Sequence, residues 1–305
     1  MVLKKKYLVG LLSALLLCGT SSAQNDDYEE TPAPHKSKFH FGFFVGSYFA
    51  NRHSASIYNG YGFNLDKQQN DFAQSWIYQK IVNEYGGGYG QTDQVALALS
   101  VDPKQWVFQE SDMPINMHYN PAIHLGFNFR VPVKKTAFFL LNINGARLGV
   151  DGNFTITTLK PQSSTNPALN SNIKTCVIKG QEQRLQFELG FQKVFGDDGD
   201  DFSFFGELGF VGTLTKFTRN YIIINTLQVD ITSYVYNPAY PVPVPGRVPV
   251  GFGVGAYAGG GVNMNVNPRV TVQLLYNLLQ EKINIGANPA LKLQHSAGLR
   301  FYYNF

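Results

Sequence analysis

Cysteine is almost missing from this chain: two occur in 305 residues. One of them, Cys18, sits in an apolar leader, so Cys176 alone would remain and no internal disulfide can close. Charged residues are scarce too, at 15% against about 25% in soluble domains. An excess of one sign is also lacking. The 25 basic residues include Lys4, Lys5 and Lys6, which leave with the leader, so 22 remain against 21 acidic ones. That balance excludes nucleic acid as a partner held by a basic field. Past the leader there is no long apolar run. The greasiest stretches, residues 137–141 and 221–224, fall far short of the roughly 20 residues of a membrane-spanning helix.

What the chain does hold is aromatic side chains, 14% of residues, and 30 glycines. It also holds a secretory signature. In MVLKKKYLVGLLSALLLCGTSSAQ, three lysines precede a short apolar stretch, and Ser21-Ser22-Ala23 supplies small residues before a cut at Gln24. This predicts a signal peptide over residues 1–23. Leu17 stands before Cys18 where lipid attachment wants a small residue, so Cys18 reads as part of the apolar stretch. Residues 24–37, QNDDYEETPAPHKS, are acidic and proline-bearing and predict a disordered leader. Residues 38–305 form the folded domain.

Period-two alternation runs through that domain. In the last stretch Leu291, Leu293, His295, Ala297, Leu299, Phe301, Tyr303 and Phe305 share one face, and Lys292, Gln294, Ser296, Gly298, Arg300, Tyr302 and Asn304 the other. In HYNPAIHLGFNFRV, Tyr119, Ile123, Leu125, Phe127, Phe129 and Val131 oppose His118, Asn120, Ala122, His124, Asn128 and Arg130. Leu185, Phe187, Leu189, Phe191 and Phe195 oppose Glu182, Arg184, Gln186, Glu188 and Gln192. Phe204, Leu208, Phe210 and Leu214 oppose Glu207 and Thr213. With the stretches beginning at 38, 136, 250 and 269, this gives about eight strands. Residues 151–174 read as a loop, with Cys176 at its edge.

The connections alternate in length. Joins 2–3, 4–5 (GDDGDD) and 6–7 are short turns, and the others are mostly long. The expected fold is all-β: a transmembrane, antiparallel, up-and-down barrel of about eight strands. Apolar residues face lipid and polar ones line the lumen, with short periplasmic turns and long outside loops. An even strand count puts both termini on the periplasmic side. The longest connection, an extracellular insert at 51–117, is expected to contain one helix over DFAQSWIYQKIVNEY, capped by Asn70 or Asp71 and stopped at Gly86–Gly88. SASIYNGYGFNL before it and QVALALSVDPKQWVFQ after it read as strand-like.

Ser296-x-Gly298-x-x-Phe301-x-Tyr303, closing on Phe305, resembles the C-terminal assembly signal of bacterial outer-membrane barrels. The layout resembles the small OmpA/OmpX-type barrels, apart from a first loop much longer than that of OmpX. HFGFFVG is mildly similar to the opening strand of PorT-like barrels. The resemblance implies an outer-membrane location, lipid as the surrounding partner and the barrel-assembly machinery as a partner during biogenesis.

Among candidate sites, Arg130, Arg184, Glu188, Glu207 and Arg300, with Glu281 and Lys292, are expected to point inward. Their mixed signs fit a neutralised polar core better than a selective pore. His118 and His124 share a predicted face but stand about 20 Å apart along a strand, too far to share an ion. DDGDD lacks the spacing and terminal Glu of a calcium loop. His53, Ser111 and Asp112 lie in the insert without catalytic spacing. No metal, cofactor or enzymatic activity is expected. Trp76, Tyr78, Tyr85 and Trp106 form the candidate partner surface, because Trp and Tyr favour interfaces. The bland alternative is that the insert caps the barrel mouth. Three functions are weighed: a structural or interaction barrel whose long loops bind a partner or surface assembly, a narrow OmpW-like channel or carrier for small apolar molecules, and an outer-membrane enzyme.

Overall fold

The computed structural model describes residues 39–64, 68–159, 172–196, 201–232, 234–235, 244–245, 250–267, 269–285 and 289–304. The expected signal peptide and leader, and most of GDDGDD, lie outside the described residues.

Eight strands form the barrel: β1 (His40–Phe49), β2 (Ala122–Lys134), β3 (Ala137–Thr158), β4 (Ile173–Phe195), β5 (Phe202–Ile224), β6 (Val250–Asn267), β7 (Val270–Asn284) and β8 (Leu291–Asn304). Each pairs antiparallel with its neighbours in sequence. β1 and β8 then close the ring, from His40 opposite Asn304 to Phe49 opposite His295. Closure leaves no unpaired edge in this part, which a bilayer requires because lipid cannot hydrogen-bond the backbone. Gly46 and Gly298 meet at this seam. A Cβ on Gly298 would fall 2.4 Å from the Val45 carbonyl and 2.6 Å from Gly46 Cα, so the two strands approach more closely there than a larger residue allows.

The predicted faces hold. Phe127, Leu189, Phe210, Leu274 and Phe301 are exposed on the outside, while Asn128, Arg184, Glu188, Gln273 and Arg300 are buried inside. An apolar exterior over a polar interior is the reverse of a soluble sandwich, and defines a membrane-spanning barrel.

One register detail overturns a predicted face. Tyr119 was grouped with Ile123, yet Tyr119 is 9% exposed and Ile123 71%. A short strand, His118–Tyr119, pairs Tyr119 with Val150, whereas His124 in β2 pairs with Ala146. The register slips by one residue between them, at Asn120-Pro121. Proline has no N–H for the ladder and is at home in such a bulge. The slip flips Tyr119 inward and His118 outward, so the two histidines do not share a face.

β3, β4 and β5 are far longer than the others, with 22, 23 and 23 residues. A bilayer needs about 9–11, so about a dozen residues of each, some 40 Å of strand, continue past it. Of the segment expected to be a loop at 151–174, residues 151–158 and 173–174 are wall, and 160–171 lie outside the described residues. Cys176 is a buried residue of β4, and burial pushes its thiol up to about 12.

In this wall the two faces exchange character. Leu148, Val150, Phe154, Ile156, Ile178, Ile222 and Ile224 are buried on the inner face. Arg147, Asp151, Lys179, Gln181 and Arg219 occupy the outer one. The membrane-embedded part is apolar outside and polar inside; the wall above it is built like a soluble sheet.

The insert covers the wall's apolar face. It is not one helix. Residues 72–74 form a 3₁₀ turn, Trp76–Tyr78 an α-turn, and 79–84 a wider turn in which Tyr85 N–H donates to the Lys80 carbonyl (2.9 Å). Ser75 caps the α-turn by accepting from Tyr78 N–H. Asp71 makes no side-chain cap, and Asn70 instead donates to the Tyr61 carbonyl. The flanking stretches differ from expectation as well. Arg52–Ala55 and Gln94–Leu99 are helical, and Trp106–Val107 alone is a strand, added to the tip of β3.

Candidate functional site at the loop end of the barrel

Two layers of buried polar groups fill the lumen. Near the short turns, Arg300 donates two hydrogen bonds to Glu207, at 2.9 and 3.2 Å. This fork geometry adds direction to the charge pairing. Gln192 donates to Glu207, and Arg130 donates to Gln192 while stacking on the Phe138 and Tyr302 rings at 4.3 and 4.4 Å. Halfway up, Asn128 donates to Asn142, which donates to Glu188.

The second layer lies where the membrane-spanning part meets the wall. Arg184 pairs with Glu182 on the same strand at 2.5 Å. Glu281 accepts from Thr213 (2.5 Å), Tyr48 (3.0 Å) and Gln294 (2.5 Å). Eight strands enclose a space that side chains can fill, and here they do. Arg130, Arg184, Glu188, Glu207, Glu281 and Arg300 of the expected lumen charge network are buried, and Arg300 meets Glu207 across the ring. Lys292 is half-buried at the rim.

The insert locks onto this upper layer. Tyr58 donates to Glu182 (3.1 Å), as does Tyr119 (2.7 Å). Burial first, then the nearby Glu182 carboxylate, holds the Tyr58 phenol protonated well above its ordinary range. The Tyr58 ring stacks on Phe217, with centroids 4.5 Å apart and planes 8° from parallel. Phe217 meets Trp76 edge-on, and Phe108 meets Phe154. Asn220 and Asn225 donate to the carbonyls of Tyr58 and Ala98. A continuous hydrophobic core joins insert and wall.

The expected partner surface at Trp76 and Trp106 is corrected by this core. Both indoles are buried, and Tyr78 and Tyr85 pack against the same cluster. Trp106 N–H donates to Asp93, whose carboxylate also caps Gln94–Leu99 at Ala96 N–H and accepts from Lys104 N–H. Asp93 was not singled out from sequence. The signal for it was there, an Asp three residues before Ala96 at the head of an apolar run.

A cleft of about 140 Å³ remains between the insert and the ends of β7 and β8, lined by His53, Ser54, Asn59, Lys292 and Gln294 with Glu281 at its floor. His118 is exposed, and His124 is buried between the Phe44 and Tyr48 rings. Asp112 is engaged by Gln109 N–H and the Thr155 hydroxyl. Among the described residues, no group of His, Cys, Asp or Glu is arranged to hold a metal ion. Of the expected assembly signal, Ser296 and Gly298 face inward, Phe301 and Tyr303 face outward, and Phe305 lies outside the described residues.

These features define a class: a transmembrane, eight-stranded antiparallel barrel with a filled lumen and a folded cap at its loop end. No family model and no curated protein sequence matches the chain. Among solved structures it is similar to Neisserial surface protein A (NspA), at 7% identity and a TM-score of 0.39, covering 88% of this chain and 97% of that one. It is also similar to Ail, the attachment invasion locus protein of Yersinia pestis, solved with the heparin analogue sucrose octasulfate, at 10% identity, a TM-score of 0.36 and the same coverage.

Proposed function

We propose that this chain is a non-conducting barrel of the bacterial outer membrane that presents a rigid surface platform to a protein partner or surface assembly. Both termini and the short turns lie in the periplasm, and the wall and insert lie outside. The observation that carries this reading is the exchange of faces along β3, β4 and β5. A chain that needed only to close its lumen has no use for strands that continue some dozen residues past the bilayer and carry their own soluble-type core. The channel alternative is disfavoured by buried ion pairs that occupy the lumen at two depths.

The ends of the insert make a clean test available. Tyr48 pairs with Ala122, so β1 and β2 are adjacent where the insert leaves and returns, and a short turn can replace residues 50–120. The shortened barrel is expected to stay heat-modifiable on gels, to remain closed in planar bilayers, and to lose a protein that co-purifies from outer membranes with the full chain. Unchanged co-purification would refute the platform. A gain of steady conductance would instead make the insert a gate and favour the channel.

Residues 296–305 are proposed as the address read during assembly, with Phe301, Tyr303 and Phe305 as its aromatic positions. Deleting Phe305 is expected to lower the outer-membrane level several-fold and expose the chain to periplasmic proteases. An unchanged level in the deletion strain would remove that role.

A further inference from the structure

On the outer face, the apolar band ends at one row of residues, and the next row up is polar. Strand pairing sets Leu125, Gly145, Leu185 and Leu214 side by side, and directly above them Arg147, Gln183 and Lys216. Between these two rows lies an open cleft of about 440 Å³ on β3, β4 and β5. Its apolar floor is Leu185 and Leu214. Gly145 leaves a notch there, since a Cβ at that position would have no heavy atom nearer than 3.9 Å. Its upper rim is Arg147, Gln183 and Lys216, all exposed. The Arg147 guanidinium donates to the side-chain oxygen of Gln181, one row higher on β4, at 2.8 Å.

The charge pattern around the cleft distinguishes it from an ordinary solvated face. Higher on the same outer surface, Lys179 faces Asp151 and Arg219 faces Asp230, each at 3.8 Å. Among the described residues, no carboxylate pairs with Arg147 or Lys216, the two cations on the rim of the cleft. The unpaired cations therefore stand at headgroup depth. Immediately below them is a groove fit for hydrocarbon.

We propose that this cleft binds a phosphorylated, multiply acylated glycolipid of the outer leaflet. Its phosphate sits between Arg147 and Lys216, and an acyl chain lies in the Gly145 notch against Leu185 and Leu214. The inference rests on the barrel being in a membrane with its wall outermost. It adds a lipid of defined chemistry to the protein partner proposed above. Guanidinium and ammonium both match phosphate, the first through a planar fork and the second as a point charge. Cations at a membrane surface each contribute about 1 kcal/mol toward an anionic lipid, or roughly fivefold in affinity.

The test uses the full chain purified in neutral detergent micelles. Retention of lipid is read by native mass spectrometry after adding a bisphosphorylated, acylated glucosamine disaccharide, phosphatidylethanolamine or inorganic phosphate. The glycolipid is expected to be retained. Arg147→Gln and Lys216→Gln are each expected to weaken retention about fivefold, and the double variant about 25-fold. Arg219→Gln, the paired cation, is expected to leave it unchanged. Equal retention by the double variant would overturn the proposal, as would equal retention of phosphatidylethanolamine. Displacement of the glycolipid by inorganic phosphate would show that the cleft reads the anion alone, and would also overturn it. Orientation is checked separately, by surface labelling of a tag at Ser163 in whole cells. Failure there removes the outward-facing wall without touching the micelle result.

Discussion

Glu207→Gln is expected to destabilise the barrel by about 3–5 kcal/mol, because it leaves Arg300 as a buried cation without a counter-charge. Arg300 is 1% exposed and Glu207 3%, so water cannot replace the lost partner. The substituted amide still offers one oxygen to Arg300, but it supplies no charge and cannot accept the second hydrogen bond in the same fork. The neighbours cannot compensate. Gln192 already donates to Glu207 and accepts from Arg130, and Gln273 is shared between Arg300 and Asn263. Replacing both partners at once, with Glu207→Leu and Arg300→Met, removes the charge problem along with the pair, and is expected to recover most of the loss. Urea unfolding of the refolded protein in micelles reads both quantities. A Glu207→Gln midpoint within error of the parent would show that the pair does not hold the lumen closed.

Trp76→Ala is expected to release the insert from the wall at a local cost of about 3–5 kcal/mol, the range for truncating a buried aromatic. Trp76 sits between Phe63 and Phe217, and its ring lies against Gly62. A Cβ on Gly62 would fall 2.1 Å from the indole, and the backbone there has φ of +72°. Gly62→Val should therefore release the insert by the opposite route, by filling the space rather than emptying it. For both variants, limited proteolysis is expected to cut within residues 52–117, where the parent resists, while the boiled and unboiled gel bands still differ as in the parent. Protease resistance equal to the parent in both variants would mean that the insert is held by something other than this core.

Much of the barrel could be read from residues because lipid leaves little choice. Phe127, Leu189 and Phe210 must face out and Arg300 and Glu207 must face in, and period two then fixes each strand. The partnership of Arg300 with Glu207 could not be read in the same way. They lie on β8 and β5, three strands apart around the ring, and meet only across the lumen. The wall was hidden by its own polarity. Leu148, Val150, Phe154 and Ile156 alternate with Arg147, Asp151, Asn153 and Thr155 as cleanly as any membrane strand does. The apolar set has moved to the inner face, though, and a search for lipid-facing residues passes over it. Tyr119 shows how a single inserted residue at Asn120-Pro121 defeats a face assignment.

The cap followed different rules. Phe72, Trp76, Ile77 and Ile81 have helical spacing, and a helix over 71–85 was the natural reading. Tertiary contacts took precedence. Ser75 restarts the chain at an extended backbone angle before Trp76, which lets the indole reach Gly62 and Phe217. The following turn widens to carry Ile81 into the core. The tryptophans read from the sequence as a partner surface, with a cap over the barrel mouth as the alternative; both indoles are buried in the core that joins insert and wall. The aromatic side chains hold the cap against the wall.

The most direct test of the account is where the folded chain is found and how it runs on a gel. Membranes of cells producing the full chain are fractionated, extracted in detergent, and run with and without boiling. A plugged membrane barrel predicts a band in the outer-membrane fraction that migrates as a compact species unboiled and shifts on boiling. Recovery of folded chain in the soluble periplasmic fraction, without detergent, would contradict it, because a protein with Phe127, Leu189, Phe210 and Phe301 on its outer face has no stable place in water.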